Sequence, residues 1–384
     1  MKNFYPQQYS SDSLLRLNHN YLSSQFSDYE DIFDKIKEVI LSNDFTLGTA
    51  VDEVECLIAR EAGSKFAVGV GSGTDALFLS LKALSITEGD EIITTPYTFY
   101  ATIGAIVTAG AKPVFCDVGL DFNIKVTEIE KLISKRTKAI IPVHWAGKPC
   151  DIHELLCLSK SYDIPIIEDA CHAIQAEYNG SRCGSFGLTG CFSFHPLKNL
   201  NVWGDGGIIT TSSDEIANRL RLLRNHGLVD RNTCVEFSYN SRLDTIQAVV
   251  AKHVLQNKLH FITHKRISNS LLLDQLLDDI PEITLVKREA HKKEVFHLYQ
   301  FSTIHQKELY IYLQANGIDC KIHYPIPMHL QPAAANLGYN RGDFPFAEML
   351  ADTTISLPVH EYITTEDINC ISDIIHSFFF NRAL

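Results

Sequence analysis

Residues 66–84 read FAVGVGSGTDALFLSLKAL. A short apolar strand (66–70) runs into a turn holding Gly71 and Gly73, then into residues 74–84, whose apolar side chains recur at helical spacing. Downstream the same unit repeats: strand 91–95 and helix 101–109; strand 113–118 and helix 127–134, opened by the capping pair Thr127 and Glu130; strand 138–143 and a helix from Asp151 with Glu154 three residues on. Residues 164–167 form an apolar strand running into Glu168 and Asp169, and 190–194 and 207–211 read as two more strands. Strands alternating with helices imply right-handed crossovers and an α/β fold with a mainly parallel sheet covered on both faces.

From Asp214 the texture turns helical, including a proline-free periodic stretch over 245–277 that suits a link between domains. Beyond Val295, strands at 296–303, 320–324 and 354–357 alternate with helices at 307–316 and from 365, the pattern of a smaller α+β domain. The expected division is an N-terminal extension over 1–45, helical at 29–42, a large domain over 46–245, and a linking helix with a small C-terminal domain over 246–384.

The 384 residues carry 34 basic and 46 acidic side chains, a formal charge of −12. With no Lys/Arg-rich run, nucleic acid and anionic membranes are excluded as general partners. No apolar run approaches the roughly 18 to 20 residues that span a bilayer, and residues 1–20 are polar where a signal peptide is apolar, so a soluble cytoplasmic protein is expected. The ten cysteines include no C-x-x-C pair and read as free thiols. His323, His329 and His360 lack a carboxylate or thiolate at ligand spacing, so no metal is expected.

In an open parallel sheet, ligands sit beyond the carboxyl ends of the strands. Four such turns carry chemistry. Residues 71–76 (GSGTDA) converge backbone N–H groups at a helix start, suited to a phosphate, although a plain turn capped by Thr74 reads the same way. Residues 168–172 (EDACH) end an apolar strand on two carboxylates, which implies either a positive partner or a helix cap with an outward glutamate. Residues 193–199 (SFHPLKN), followed by the glycines of 204–207, set Lys198 where desolvation can make it a nucleophilic amine. Residues 96–102 (PYTFYAT) are an aromatic cluster that packing or ligand stacking explains. Together the set asks for a phosphate, a flat ring, a ring-nitrogen cation paired to Asp169 and an aldehyde for Lys198, which pyridoxal 5′-phosphate combines.

The motifs GSGTDAL (71–77), PYTFYAT (96–102), EDACHA (168–173), SFHPLKNLNVWGDGG (193–207), RNHG (224–227), YNSRLDTIQ (239–247) and LPVH (357–360) run in order and resemble the DegT/DnrJ/StrS family of sugar aminotransferases. The resemblance implies a fold-type I transferase, working as a homodimer with shared active sites and cycling between pyridoxal and pyridoxamine 5′-phosphate. By position, Lys198 bonds the cofactor aldehyde and shuttles protons, and Asp169 keeps the pyridinium nitrogen protonated. The phosphate falls to Thr74, Asp75 and Ser193 beside Gly73; Phe99 lies near the ring face, and His172 either neighbours the ring oxygen or supports a residue that touches the cofactor. Asn240 reaches the phosphate of the other subunit, and Arg242 meets the donor carboxylate. His323, Tyr324 and His329 border the sugar pocket, while Trp203 either packs on the Lys198 loop or lines the acceptor site.

The implied reaction moves an amino group, from glutamate, to the keto carbon (C3 or C4) of a nucleotide-linked deoxysugar. Pyridoxamine-dependent sugar dehydratases carry histidine in place of Lys198. A cyclitol or non-nucleotide acceptor stays open, because cofactor motifs do not choose the acceptor. A binding protein without turnover would be expected to have lost Lys198 or Asp169, and the third glycine of a dinucleotide fingerprint is missing.

Overall fold

The computed structural model describes residues 15–19 and 21–383; most of the polar stretch over 1–20 lies outside them. Among the described residues, the large domain is built on strands β1 (Phe66–Val70), β2 (Glu91–Thr94), β3 (Lys112–Phe115), β4 (Thr137–Ile140), β5 (Ile167–Asp169), β6 (Thr189–Ser193) and β7 (Gly207–Thr211). β7 runs antiparallel between β1 and β6, β6 pairs parallel with β5, and β2 lies parallel between β3 and β4. Parallel bridges Ile140–Ile166 and Val143–Asp169 join the halves, giving the order β1-β7-β6-β5-β4-β2-β3. The sheet is mainly parallel, as the alternation implies. Its one reversed strand follows β6 without a helical crossover.

The α-helices longer than one turn among the described residues are α1 (Tyr29–Ser42), α2 (Thr49–Ala62), α3 (Gly73–Ala83), α4 (Tyr100–Thr108), α5 (Ile152–Tyr162), α6 (Asp214–Leu223), α7 (Thr245–Asn257), α8 (Leu259–Leu277), α9 (Gln306–Ala315), α10 (Pro345–Thr353) and α11 (Thr365–Ala383). One sheet face buries Ile208 and Phe192 against Val54 and Ile58 of α2 and Val250 of α7. The other buries Val68, Ile167 and Ile209 against Leu77 and Leu81 of α3, Ile106 of α4 and Leu220 of α6. Helices on both faces bury a sheet completely, which explains its nearly continuous apolar strands. In the small domain β8 (Thr284–Leu285), β9 (Tyr299–Ser302) and β10 (Thr354–Leu357) form an antiparallel sheet packed on α8, α9 and α11.

Three local expectations change. The stretch after Lys125 makes only one α-turn, Val126–Ile129, and a 3-10 turn, Glu130–Leu132; no side chain caps it, so Thr127 and Glu130 form no capping pair. The periodic stretch over 245–277 is two helices, broken where Lys258 leaves helical geometry at φ −127°. Residues 320–324 make a single bridge, Lys321–Ser356, instead of a strand. Helix α1 falls at the expected 29–42 and packs on the large domain: Ile32 and Val39 join its core, and Phe33 meets Trp203 edge-on.

Candidate active site

The carboxyl ends of β1, β5 and β6 converge on a cavity of about 410 Å³, within the range of small-molecule sites. Gly73, Thr74, Phe99, Asp169, His172, Ser193, Lys198, His323 and Tyr324 all line it. Parallel strands deliver residues distant in sequence to one edge, which is how the separate turns meet.

Asp169 closes β5 and is 5% exposed. Its Oδ2 accepts from the Thr102 hydroxyl at 2.8 Å and its Oδ1 from the Cys171 N–H at 3.2 Å. With the Thr102 proton committed to Asp169, Thr98 donates to Thr102 at 2.8 Å, so three side chains form one oriented chain. Glu168 turns inward and is fully buried. Its carboxylate accepts from the N–H groups of Gly184, Phe186 and Gly187, each at 2.7 Å, and from His144 Nε2 at 2.9 Å. The Cys150 N–H donates to His144 Nδ1, leaving Nε2 as the donor. Backbone amides and an imidazole therefore balance this carboxylate where a cation or an outward cap is the sequence expectation. The clamp fixes the strand end that carries Asp169.

Lys198 lies on a loop pinned from several sides. Its N–H bonds His195 O at 2.8 Å, its carbonyl accepts from Asn201 Nδ2 at 2.7 Å, and the buried Asn199 reaches Val295 O at 3.0 Å. Burial pushes the Lys198 ammonium below the usual lysine range, against the opposing pull of Cys171 and Asp169. A neutral amine is the nucleophilic form.

Helix α3 starts at Gly73, and its cap is Ser72, whose Oγ accepts from the Asp75 N–H at 3.0 Å; the cap is not Thr74. First-turn N–H groups have no intrahelical partner and point at the cavity end of the helix. A Cβ on Gly73 would lie 2.6 Å from Ser193 Cβ and 3.0 Å from Cys171 Sγ, so this close approach requires glycine. Asp75 does not line the cavity: its Oδ2 accepts from Ser241 Oγ at 2.8 Å, and Ser241 Oγ accepts from the Gly71 N–H at 3.0 Å.

The aromatic turn splits its roles. Tyr97 is buried in packing, whereas Phe99 is 46% exposed and stands 5.9 Å from Tyr324 across the mouth. His172 packs 4.2 Å from the His297 ring, and burial holds its pKa well below the usual value. His323 Nδ1 bonds Ser356 Oγ at 2.9 Å, and burial with Lys321 and Lys198 nearby pushes its pKa down to about 4. Besides Asp75, three assigned residues lie elsewhere. His329 is buried against Glu348 at 3.1 Å, Arg242 donates to Asn225 at 3.1 Å, and Asn240 is exposed on a bridge to Asn225. Trp203 does not line the cavity; it packs between Phe26 and Phe33 against the core that includes Leu200 and Val202 of the Lys198 loop. Sequence reasoning passed over Thr102, although it sits inside the quoted PYTFYAT motif, and Ser241 next to Asn240. It also passed over His19, Tyr21, Arg266, His297 and Lys321, all of which line the cavity and belong to no quoted motif.

Among the described residues no group of three His, Cys, Asp or Glu side chains is arranged to hold a metal ion, and no helix is long and apolar enough to cross a membrane. The donor set fits pyridoxal phosphate: a helix N-terminus for the phosphate, Asp169 for the ring nitrogen, a desolvated amine for the aldehyde, and the buried His172 Nδ1, which has no hydrogen-bond partner among the described residues.

The family model for DegT/DnrJ/EryC1/StrS aminotransferases matches residues 27–376. The chain is 37% identical over 368 residues to the pleiotropic regulatory protein of Geobacillus stearothermophilus, covering 93% of this chain and 97% of that one. It is also 37% identical over 347 residues to the UDP-N-acetyl-3-dehydro-alpha-D-glucosamine 3-aminotransferase of Acidithiobacillus ferrooxidans, covering 90% and 93%. The crystal structure of S. venezuelae DesV superposes with a TM-score of 0.92 at 34% identity, covering 95% of this chain and 98% of that one.

Proposed function

Because the chain belongs to the DegT/DnrJ/EryC1/StrS aminotransferase family, we propose that it moves an amino group from glutamate to the C3 keto carbon of a nucleotide-linked deoxysugar, with pyridoxal phosphate as carrier. The observation that carries this reading is the shared cavity of Lys198 and Asp169 at the N-terminus of α3. The C3 position is supported by the name of the Acidithiobacillus relative.

Pyridoxal phosphate, when bound, supplies an aldehyde for amine exchange and an electron-poor ring. The chain's residues do the rest. Gly73 and Thr74 offer the phosphate their backbone N–H groups, and Ser193 adds a hydroxyl. Asp169, oriented by Thr102 and the Cys171 N–H, holds a proton on the ring nitrogen. Lys198 Nζ, its pKa lowered by burial, takes a proton from the donor carbon and returns one to the sugar carbon. Leu77, Val143 and Leu298 exclude water from the reacting atoms.

Incubation with glutamate and a panel of nucleotide ketosugars should release 2-oxoglutarate in step with a 3-amino sugar, identified by NMR. A 4-amino product would move the position. No 2-oxoglutarate with any acceptor refutes the reading. A regulatory role has the name of the Geobacillus relative in its favour; the retained Lys198 and Asp169 favour turnover.

The same reading includes a homodimer in which Asn240 serves the partner's phosphate. The exposed hairpin side chains Val229, Val235 and Phe237 beside it support an interface there. Mixed Asn240→Ala and Lys198→Ala subunits should regain activity through hybrid sites, and no recovery under proven subunit exchange counts against it.

A further inference from the structure

The N-terminal residues that reach the cavity are tied to the small domain, not to the cofactor turns. Leu17 bridges Ile318 in parallel, with its N–H on Gly317 O at 2.9 Å and its carbonyl accepting from the Asp319 N–H at 2.8 Å. The His19 N–H reaches Asp319 Oδ2 at 3.2 Å, and His360 Nε2 donates to Asn18 O at 3.0 Å. Tyr21 is 6% exposed, stacks on the His360 ring at 4.6 Å, and accepts from Arg266 Nη2 at 2.6 Å. His19 and Tyr21 thereby line the same cavity as Lys198.

The charges of this wall are already matched. Lys321 is paired with Asp319 at 2.5 Å, and Arg266 is committed to Tyr21, to the carbonyls of Phe296 and His297, and to Glu361. Burial holds the imidazoles of His19, His323 and His360 well below the usual histidine pKa, so they are neutral at pH 7. His19 Nδ1 is buried with no hydrogen-bond partner among the described residues. Neutral rings and a phenol satisfy hydroxyl groups, which both donate and accept, whereas a carboxylate needs an uncommitted cation.

We propose that His19 and Tyr21 are specificity-determining residues for the sugar acceptor, closing the cavity with a neutral, hydroxyl-binding wall that the amino-acid donor does not use. The inference rests on the aminotransferase reading. It separates the two substrates by chemistry: the donor brings two carboxylates, and the acceptor brings hydroxyls.

The test uses the full-length holoenzyme and the variants His19→Ala, His19→Gln and Tyr21→Phe. The half-reaction with glutamate alone, followed by the cofactor's absorbance change, should shift by less than about twofold in each variant. The KM for the nucleotide ketosugar should rise roughly three- to tenfold in His19→Ala and Tyr21→Phe, the loss of one neutral hydrogen bond. His19→Gln, which keeps a donor and an acceptor, should recover part of it. An unchanged sugar KM, or equal losses in both half-reactions, overturns the wall. If the wild-type protein releases no 2-oxoglutarate, the aminotransferase reading fails instead. Calorimetric titration with UDP-N-acetylglucosamine then decides the wall separately: weaker binding by the variants upholds it, and equal binding, or none to the wild type, overturns it.

Discussion

Asp169 and Lys198 face one cavity under opposite constraints. The carboxylate is held by a hydroxyl and a backbone N–H, and the amine is deprived of water. An amide in place of the carboxylate still accepts from the Cys171 N–H, and the Thr102 hydroxyl can turn to accept from it, so Asp169→Asn should leave the fold intact. It removes the negative charge that, in the proposed function, keeps the ring nitrogen protonated. The expected loss in kcat is on the order of 10²- to 10³-fold with an unchanged unfolding midpoint; steady-state kinetics beside thermal unfolding check it, and undiminished kcat removes Asp169 from its role. Glu168 next door is a different case. Its two oxygens take four hydrogen bonds, and its work is to anchor the end of β5.

At the scale of elements, α3 and β6 meet where only a glycine allows them to. Gly73→Ala would drive a methyl group into Ser193 Cβ at 2.6 Å, beside backbone at 3.1 Å, and push the helix N-terminus off the end of β6. Overpacking of this kind costs about 1 to 3 kcal/mol. Titration of the apoprotein should show affinity for pyridoxal phosphate lowered roughly tenfold or more; equal affinity would mean that the helix N-terminus does not hold the phosphate. Ser241 ties the segment before α7 to the same turn through Gly71 and Asp75, which gives Asn240 and Arg242 a fixed starting point on the surface.

Across the whole molecule, the large domain, the small domain and the N-terminal segment enclose His19, His172, His297, His323 and His360 around one space. Burial lowers all five pKa values, to about 4 for His323 and to about 3 for His360. The unfolded chain takes up protons below about pH 6.5 that these rings refuse in the folded state. Since stability rises with pH wherever the unfolded state binds more protons, it should fall as pH drops from about 6.5 toward 4.5, before most carboxylates titrate. The steepness approaches about 1.4 kcal/mol per pH unit for each ring. Urea midpoints measured across that window test the sign, and a flat midpoint contradicts it.

Sequence alone determined the parallel α/β framework and the positions of Lys198, Asp169, Ser193 and the Gly71–Gly73 turn. Strand and helix periodicities are local, and a parallel sheet sends every strand end to one edge. It misjudged the cap of α3 and the length of the helix after Lys125, because neighbouring hydroxyls and threonines compete for the same local role. The inward turn of Glu168, the separation of His329 from the cavity, the packing of Trp203 on α1 and the wall built by His19 and Tyr21 were decided only by tertiary structure. The His19 contact with Asp319 spans 300 residues. No periodicity or spacing encodes such a contact; it exists only when the two domains and the N-terminal segment pack together.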